Sequence, residues 1–225
     1  MAFKRVKKLA KIFAKAVAGV LLTGGVAYAG LHGLAYAGKG EPLTPGEAQA
    51  VHQIFGDQID TDRIRKHFKE QDDPTHFFRK YQGTVLPPFS HIDFFTPAAW
   101  SKDYSKDRRS MYGFFLHEAT HVWQGQHMRF SHHAVGRYDY QLIPVARFGQ
   151  FGTEQQAELV EHYAERWIHP AGRRLAKTDE DRILRDVVER QFPQAKITRE
   201  GLDRQDAERA ATLRPNTLRQ PPKAA

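Results

Sequence analysis

Phe114-Phe115-Leu116-His117-Glu118-Ala119-Thr120-His121-Val122-Trp123-Gln124 carries a His-Glu-x-x-His pattern within an apolar surround. On an α-helix, positions i and i+4 lie on one face, one turn apart. His117 and His121 can therefore aim both imidazoles at a single point. Zinc takes nitrogen ligands at about 2.0–2.1 Å, and its catalytic sites use three protein ligands and a water. Glu118 directly follows the first histidine and is placed to take a proton from such a water as general base. Two ligands and a base on two helical turns are the parts that metal-assisted hydrolysis needs. The chain holds 12 His in 225 residues, so the pattern has a bland alternative, a solvated face with two His and a Glu. The large neighbours Phe114, Phe115, Leu116, Val122 and Trp123 argue instead for a buried helix, spanning about Ser110–Gln126.

The chain has no Cys, which excludes disulfides and thiolate metal sites. A third ligand must then be His, Asp or Glu. His127, His132 and His133 lie close by in sequence, in what reads as a loop. A third His that soon after the motif requires an early turn, encoded in metzincins by a Gly three residues after the second motif His. Gln124 stands there, with His127 three residues further on. The distant candidates are Glu154, Glu158 and Glu161. They fall at i, i+4 and i+7 on a helix that Thr153 is expected to cap and His169-Pro170 to stop. Like charges along one stripe are unfavourable unless something cationic faces them. A metal with two His ligands is such a group. Arg166, or Arg residues elsewhere, would be the alternative partner.

The rest of the body reads as helices with a little strand. Thr44, Pro45 and Glu47 make a capping-box start for a helix through Phe55, ended by Gly56. Thr84–Phe89 is extended by its two prolines. His91–Phe95 reads as a strand ended by Thr96-Pro97, with His91 and Asp93 expected at the surface. Tyr138 and Tyr140 are both candidates for stabilising an oxyanion. A packing helix is expected over Asp179–Gln191, and residues 193–225 form a polar tail expected to be disordered. The expected organisation is thus a targeting or membrane segment at 1–40, one globular domain at 41–192 and the tail.

The formal net charge is +8, and its distribution decides its meaning. Residues 1–40 carry seven Lys/Arg and no Asp or Glu, leaving the body at +1. A near-neutral body has no basic field for a polyphosphate, so nucleic acid is not an expected partner. In the first segment Lys4, Lys8, Lys11 and Lys15 recur at helical spacing with Phe3, Val6, Leu9, Ile12, Phe13 and Val17 between them, as in membrane-surface helices. Ala16–Gly38 is uncharged and reaches the ~20 residues of a membrane span, but holds six Gly. Ala27-Tyr28-Ala29 and Ala35-Tyr36-Ala37 match small-x-small cleavage sites. A cleaved signal peptide, an uncleaved anchor and a Gly-rich membrane helix all fit, with a disordered basic tail as the plain alternative. The expected location is the periplasm or cell envelope, with membrane contact through residues 1–38; the alternative is cytoplasmic.

HEATHVWQ at 117–124, followed by GTEQQAELVEHY at 152–163, resembles the gluzincin group of zinc metallopeptidases. More narrowly, residues 43–47 and 55–60 together with these two stretches look like bacterial zincin-like proteins labelled Vgr-related, over roughly residues 42–168. The resemblance implies an α+β, mostly helical zincin-like domain with a small sheet and an active-site helix. It implies Zn²⁺ held by His117, His121 and Glu154, with Glu118 as base and Glu158, one turn on, accepting a hydrogen bond from a ligand imidazole. Glu154 also suits the role on its own, since a first-turn carboxylate gains from the helix dipole. Glu161 is expected to lie farther from the metal. The implied activity is zinc-dependent hydrolysis of a peptide or protein substrate. The rivals are a non-catalytic, metal-stabilised envelope or secretion-associated binding module, and a toxin-like effector acting on membranes.

Overall fold

The computed structural model of the protein describes residues 40–69, 82–86, 90–127 and 140–213. The basic and uncharged stretches of residues 1–38 lie outside the described residues. Within the described residues no helix is long and apolar enough to cross a membrane. The fold is α+β and mostly helical, with one small mixed sheet.

Four short strands form the sheet: β1 (Glu41–Pro42), β2 (Arg65–Phe68), β3 (Gly83–Leu86) and β4 (His91–Phe94), in the order β1-β2-β4-β3. β2 and β4 run parallel, whereas β1 on β2 and β3 on β4 are antiparallel. β3 is thus an edge strand. β4 is flanked on both sides, which corrects the expectation for Asp93. It is 2% exposed and faces Lys69 Nζ at 3.8 Å, a buried carboxylate held by a cation rather than a surface group. His91 is half-buried.

Helix α1 (Pro45–Phe55) begins with the capping box the sequence predicts. Thr44 Oγ1 accepts from the Glu47 N–H at 3.2 Å, and Glu47 Oε2 accepts from the Thr44 N–H at 2.8 Å. Gly56, at φ 56°, ends it in a conformation that side chains disfavour. Glu47 has a second role. Its other oxygen accepts from Lys66 Nζ at 2.7 Å and from the Tyr104 N–H at 3.0 Å, and both charged side chains are fully buried. Lys66 spends its remaining donors on the Ser101 and Lys102 carbonyls and lies over the Trp100 and Tyr104 rings. One carboxylate therefore joins the start of α1, the sheet and the 101–104 loop.

Helices α2 (Arg109–Gln126) and α3 (Thr153–Tyr163) follow. A π-helical segment, Ala164–Ile168, continues α3. The short α4 (Pro170–Arg173), α5 (Asp179–Gln191) and α6 (Pro193–Leu213) complete the chain. α2 lies in the middle and buries residues on most of its circumference, as a core helix does. Phe55, Trp123, Phe148 and Phe192 interlock around it, with ring centroids of Phe192 5.0 Å from those of Phe55 and Trp123. Residues 193–213 correct the expectation of a disordered tail. Ala195 is fully buried, Tyr163 Oη donates to its carbonyl, and Arg199 pairs with Glu189 of α5. The polar composition hides these few anchors, and residues 203–212 are exposed along the same helix.

Glu47→Gln should leave the Lys66 ammonium buried without its counter-charge. The expected cost is about 3–5 kcal/mol in urea unfolding. A loss below about 1 kcal/mol, the size of an exposed pair, would contradict the buried role.

Candidate metal centre

α2 and α3 lie side by side and run in opposite directions. Gln124 meets Thr153 and Gln156, His117 meets Glu161, and Gly113 lies against Glu165. This pairing brings His117, His121 and Glu154 together, with one ligand atom from each within 4.8 Å of the others. Glu154 Oε2 is 3.6 Å from His117 Nε2 and 3.4 Å from His121 Nε2. Bonds of 2.0–2.1 Å in a tetrahedron place ligand atoms about 3.4 Å apart. The three residues therefore fit a metal ion such as zinc in type and spacing.

The far nitrogens of the two rings are also held. His117 Nδ1 lies 3.0 Å from Glu161 Oε2, and His121 Nδ1 lies 2.9 Å from Gln124 Oε1. Carboxylate and amide oxygens only accept, so each Nδ1 carries the proton. That leaves both Nε2 atoms, the ones facing Glu154, as the ligand atoms. Gln124 is fully buried, and its amide nitrogen donates to the Thr153 carbonyl at 2.9 Å and to Gln156 Oε1 at 3.0 Å. Gln156 in turn donates to the Phe151 carbonyl at 2.9 Å. The orientation of His121 is thereby tied to the start of α3, where Glu154 sits.

Without a cation, this arrangement holds a proton. Burial pushes the His117 imidazole down, but the Glu154 and Glu161 carboxylates outweigh it and hold the pKa up to about 10. For Glu154, burial works upward and the two imidazoles prevail, keeping it well below the usual carboxylate range. These residues would hold a metal ion only with that proton gone, the usual competition at histidine ligands. Glu118 behaves differently. Burial raises its pKa against the opposing pull of His117 and His121. It is 4% exposed, and its Oε2 has no hydrogen-bond partner.

Glu158 does not take the place expected of it. It faces His162, 3.9 Å away, while Glu161 holds His117. Helical geometry explains the exchange. Measured from Glu154 at 100° per residue, Glu161 returns to within about 20° of the same direction, whereas Glu158 is about 40° off. The two nitrogens of His117 point along the antiparallel helix, so Nδ1 reaches a carboxylate two turns from Glu154. The cap also differs: Gly152 is the N-cap and Thr153 the first helical residue, with Gln155 Oε1 accepting from the Gly152 N–H at 2.9 Å. Gly is an acceptable N-cap, so Gln three residues later was the available signal.

His127 ends α2 instead of joining the cluster. Its Nδ1 meets the Trp123 carbonyl at 2.9 Å and its ring lies by the Trp123 indole. His132, His133 and Tyr138 lie outside the described residues. Tyr140 is engaged with His162 Nδ1 at 2.8 Å. The sequence reading missed the part played by Gln124 and assigned Glu161 too distant a place. Gln124 was discoverable from its i+3 spacing to His121.

Glu161→Gln should lower zinc affinity ~10–100-fold in a chelator competition, and Glu158→Gln should leave it within about threefold of the wild type. The reverse order would return the supporting role to Glu158.

No family model matches the chain. Over 165 residues it is 32% identical to the type VI secretion system spike protein VgrG2b of Pseudomonas aeruginosa, which covers 67% of this chain and 16% of that protein. The chain thus spans about a sixth of the length of the curated relative it matches. Among solved structures it is similar to the effector domain of Pseudomonas aeruginosa VgrG2b, at 27% identity and a TM-score of 0.46, covering 66% of this chain and 87% of that one.

Proposed function

We propose that the protein is a zinc-dependent peptidase of the gluzincin type, serving bacterial type VI secretion. The observation that carries the chemistry is the convergence of His117 Nε2 and His121 Nε2 on Glu154 Oε2, next to a buried glutamate with a free oxygen. Bound there, zinc would lower the pKa of a water and polarise the scissile carbonyl. Glu118 Oε2 accepts the proton of the attacking water and passes it to the leaving amine. An intact, partner-free carboxylate is what a base requires, and a module that only binds has no use for it.

The edge strand supports a peptide as substrate. The Phe95 N–H donates to the Gln82 carbonyl at 3.2 Å, so Gln82 faces Phe95 as a bonded pair. In an antiparallel ladder the next pair, Gly83 with Phe94, then turns its backbone groups away from the partner strand. Val85, half-buried two residues further along the same ladder, therefore presents N–H and C=O groups along the outer edge of β3, where no described residue pairs with them. An extended peptide can add there as a further strand. The similarity to a secretion spike protein supports delivery out of the producing cell, and residues 1–38 are assigned to contact with a membrane.

Glu118→Gln should retain one zinc per chain by metal analysis and lose hydrolysis of a casein or peptide-library substrate. Base removal of this kind costs on the order of 10²–10⁴-fold. Turnover kept by the variant would remove Glu118 from the mechanism, and a wild-type chain that binds no zinc would overturn the peptidase reading.

A further inference from the structure

Gly83 is buried in β3, and its backbone does not require glycine: among the described glycines only Gly40 and Gly56 have positive φ. Glycine weakens a strand interior, and its presence there commonly marks a close approach. The approaching group here is the carboxylate of Glu118. A Cβ at position 83 would lie 2.7 Å from Glu118 Oε1 and 2.9 Å from its Cδ, with Phe114 Cζ also at 2.9 Å. Those separations are shorter than nonbonded contacts allow. Oε1 and Cδ are the end of the Glu118 side chain, so a Cβ at position 83 would displace the carboxylate, and at 4% exposure that displacement happens inside the packed interior.

We propose that Gly83 is a positioning residue for the general base: the missing side chain leaves the space in which the Glu118 carboxylate rests against β3. Oε1 is turned to the strand, and Oε2 is the buried oxygen left without a hydrogen-bond partner. The edge strand thus has two uses: the proposed peptide docks along its half-buried stretch at Val85, and the bare Cα of Gly83 sets the rotamer of the base. This inference rests on Glu118 being the base of the proposed peptidase, and it adds the residue that fixes where that base stands.

The test uses the full chain with Gly83→Ala, Glu118→Ala and the double variant. Gly83→Ala alone should lower Tm by roughly 3–10 °C, the range expected of overpacking in a chain of this size. In the Glu118→Ala background the same change should cost less, because the clashing carboxylate is gone and only the Phe114 ring remains in the way. Zinc affinity of Gly83→Ala in chelator competition should stay within about threefold, since no ligand is touched. The visible absorption of the Co²⁺-loaded protein should shift, because the displaced carboxylate no longer meets the water. Turnover should fall in kcat with KM held. Equal Tm losses in both backgrounds, or an unchanged cobalt spectrum, would overturn the proposal. A wild-type chain without zinc overturns the peptidase reading instead, and the thermal cycle distinguishes the two failures.

Discussion

Two imidazole nitrogens facing one carboxylate oxygen, 3.4 and 3.6 Å away, are the contact on which the rest of the molecule depends. Nitrogen lone pairs and a carboxylate repel one another unless a cation or a proton lies between them. The protein nevertheless holds all three in place from behind. Glu161 and Gln124 fix the rings, and the Gln124–Gln156 pair fixes the start of α3. The antiparallel course of α2 and α3 makes this possible. It aligns two turns of α2 with the first and third turns of α3, so the residues that bind and the residues that orient come from the same two helices.

The remainder of the fold keeps that helix pair still and dry. The interlocked rings of Phe55, Trp123, Phe148 and Phe192 grip the C-terminal half of α2, while Phe94, Tyr104 and Phe115 stack on its N-terminal half. The buried Glu47–Lys66 pair ties α1 to the sheet. Such a pair contributes little net stability against an apolar replacement, but losing one partner is costly. Its effect is to fix the register of β2, hence of β4 and the edge strand β3 that lies over Glu118.

Much of this was legible in the sequence. The capping box at Thr44, the Gly56 stop, the Asp179–Gln191 helix and the His-Glu-x-x-His helix are local signals, and each appears at or within a residue of its expected place. The grouping of Glu154 with His117 and His121 was also anticipated, from the resemblance carried by the two stretches and from the place of Glu154 in the first turn of its helix. What failed depended on how elements meet. Whether Glu158 or Glu161 reaches His117 is decided by the direction of α3 against α2, which spacing along one helix does not contain. Asp93 reads as polar and exposed until β4 proves to be flanked on both sides. The 193–213 helix is held by a few anchors, Ala195 and Arg199 among them, too few to register as a periodic pattern. Gly83 carries no signal until the carboxylate it faces is known.

The most direct test is the anomalous scattering of crystals of the zinc-loaded full chain, collected on both sides of the zinc edge. A single strong peak within about 2.0–2.2 Å of His117 Nε2, His121 Nε2 and a Glu154 oxygen is the predicted result. A peak held by other residues, such as His132 or His133, or no peak at this site in zinc-saturated crystals, would contradict the account.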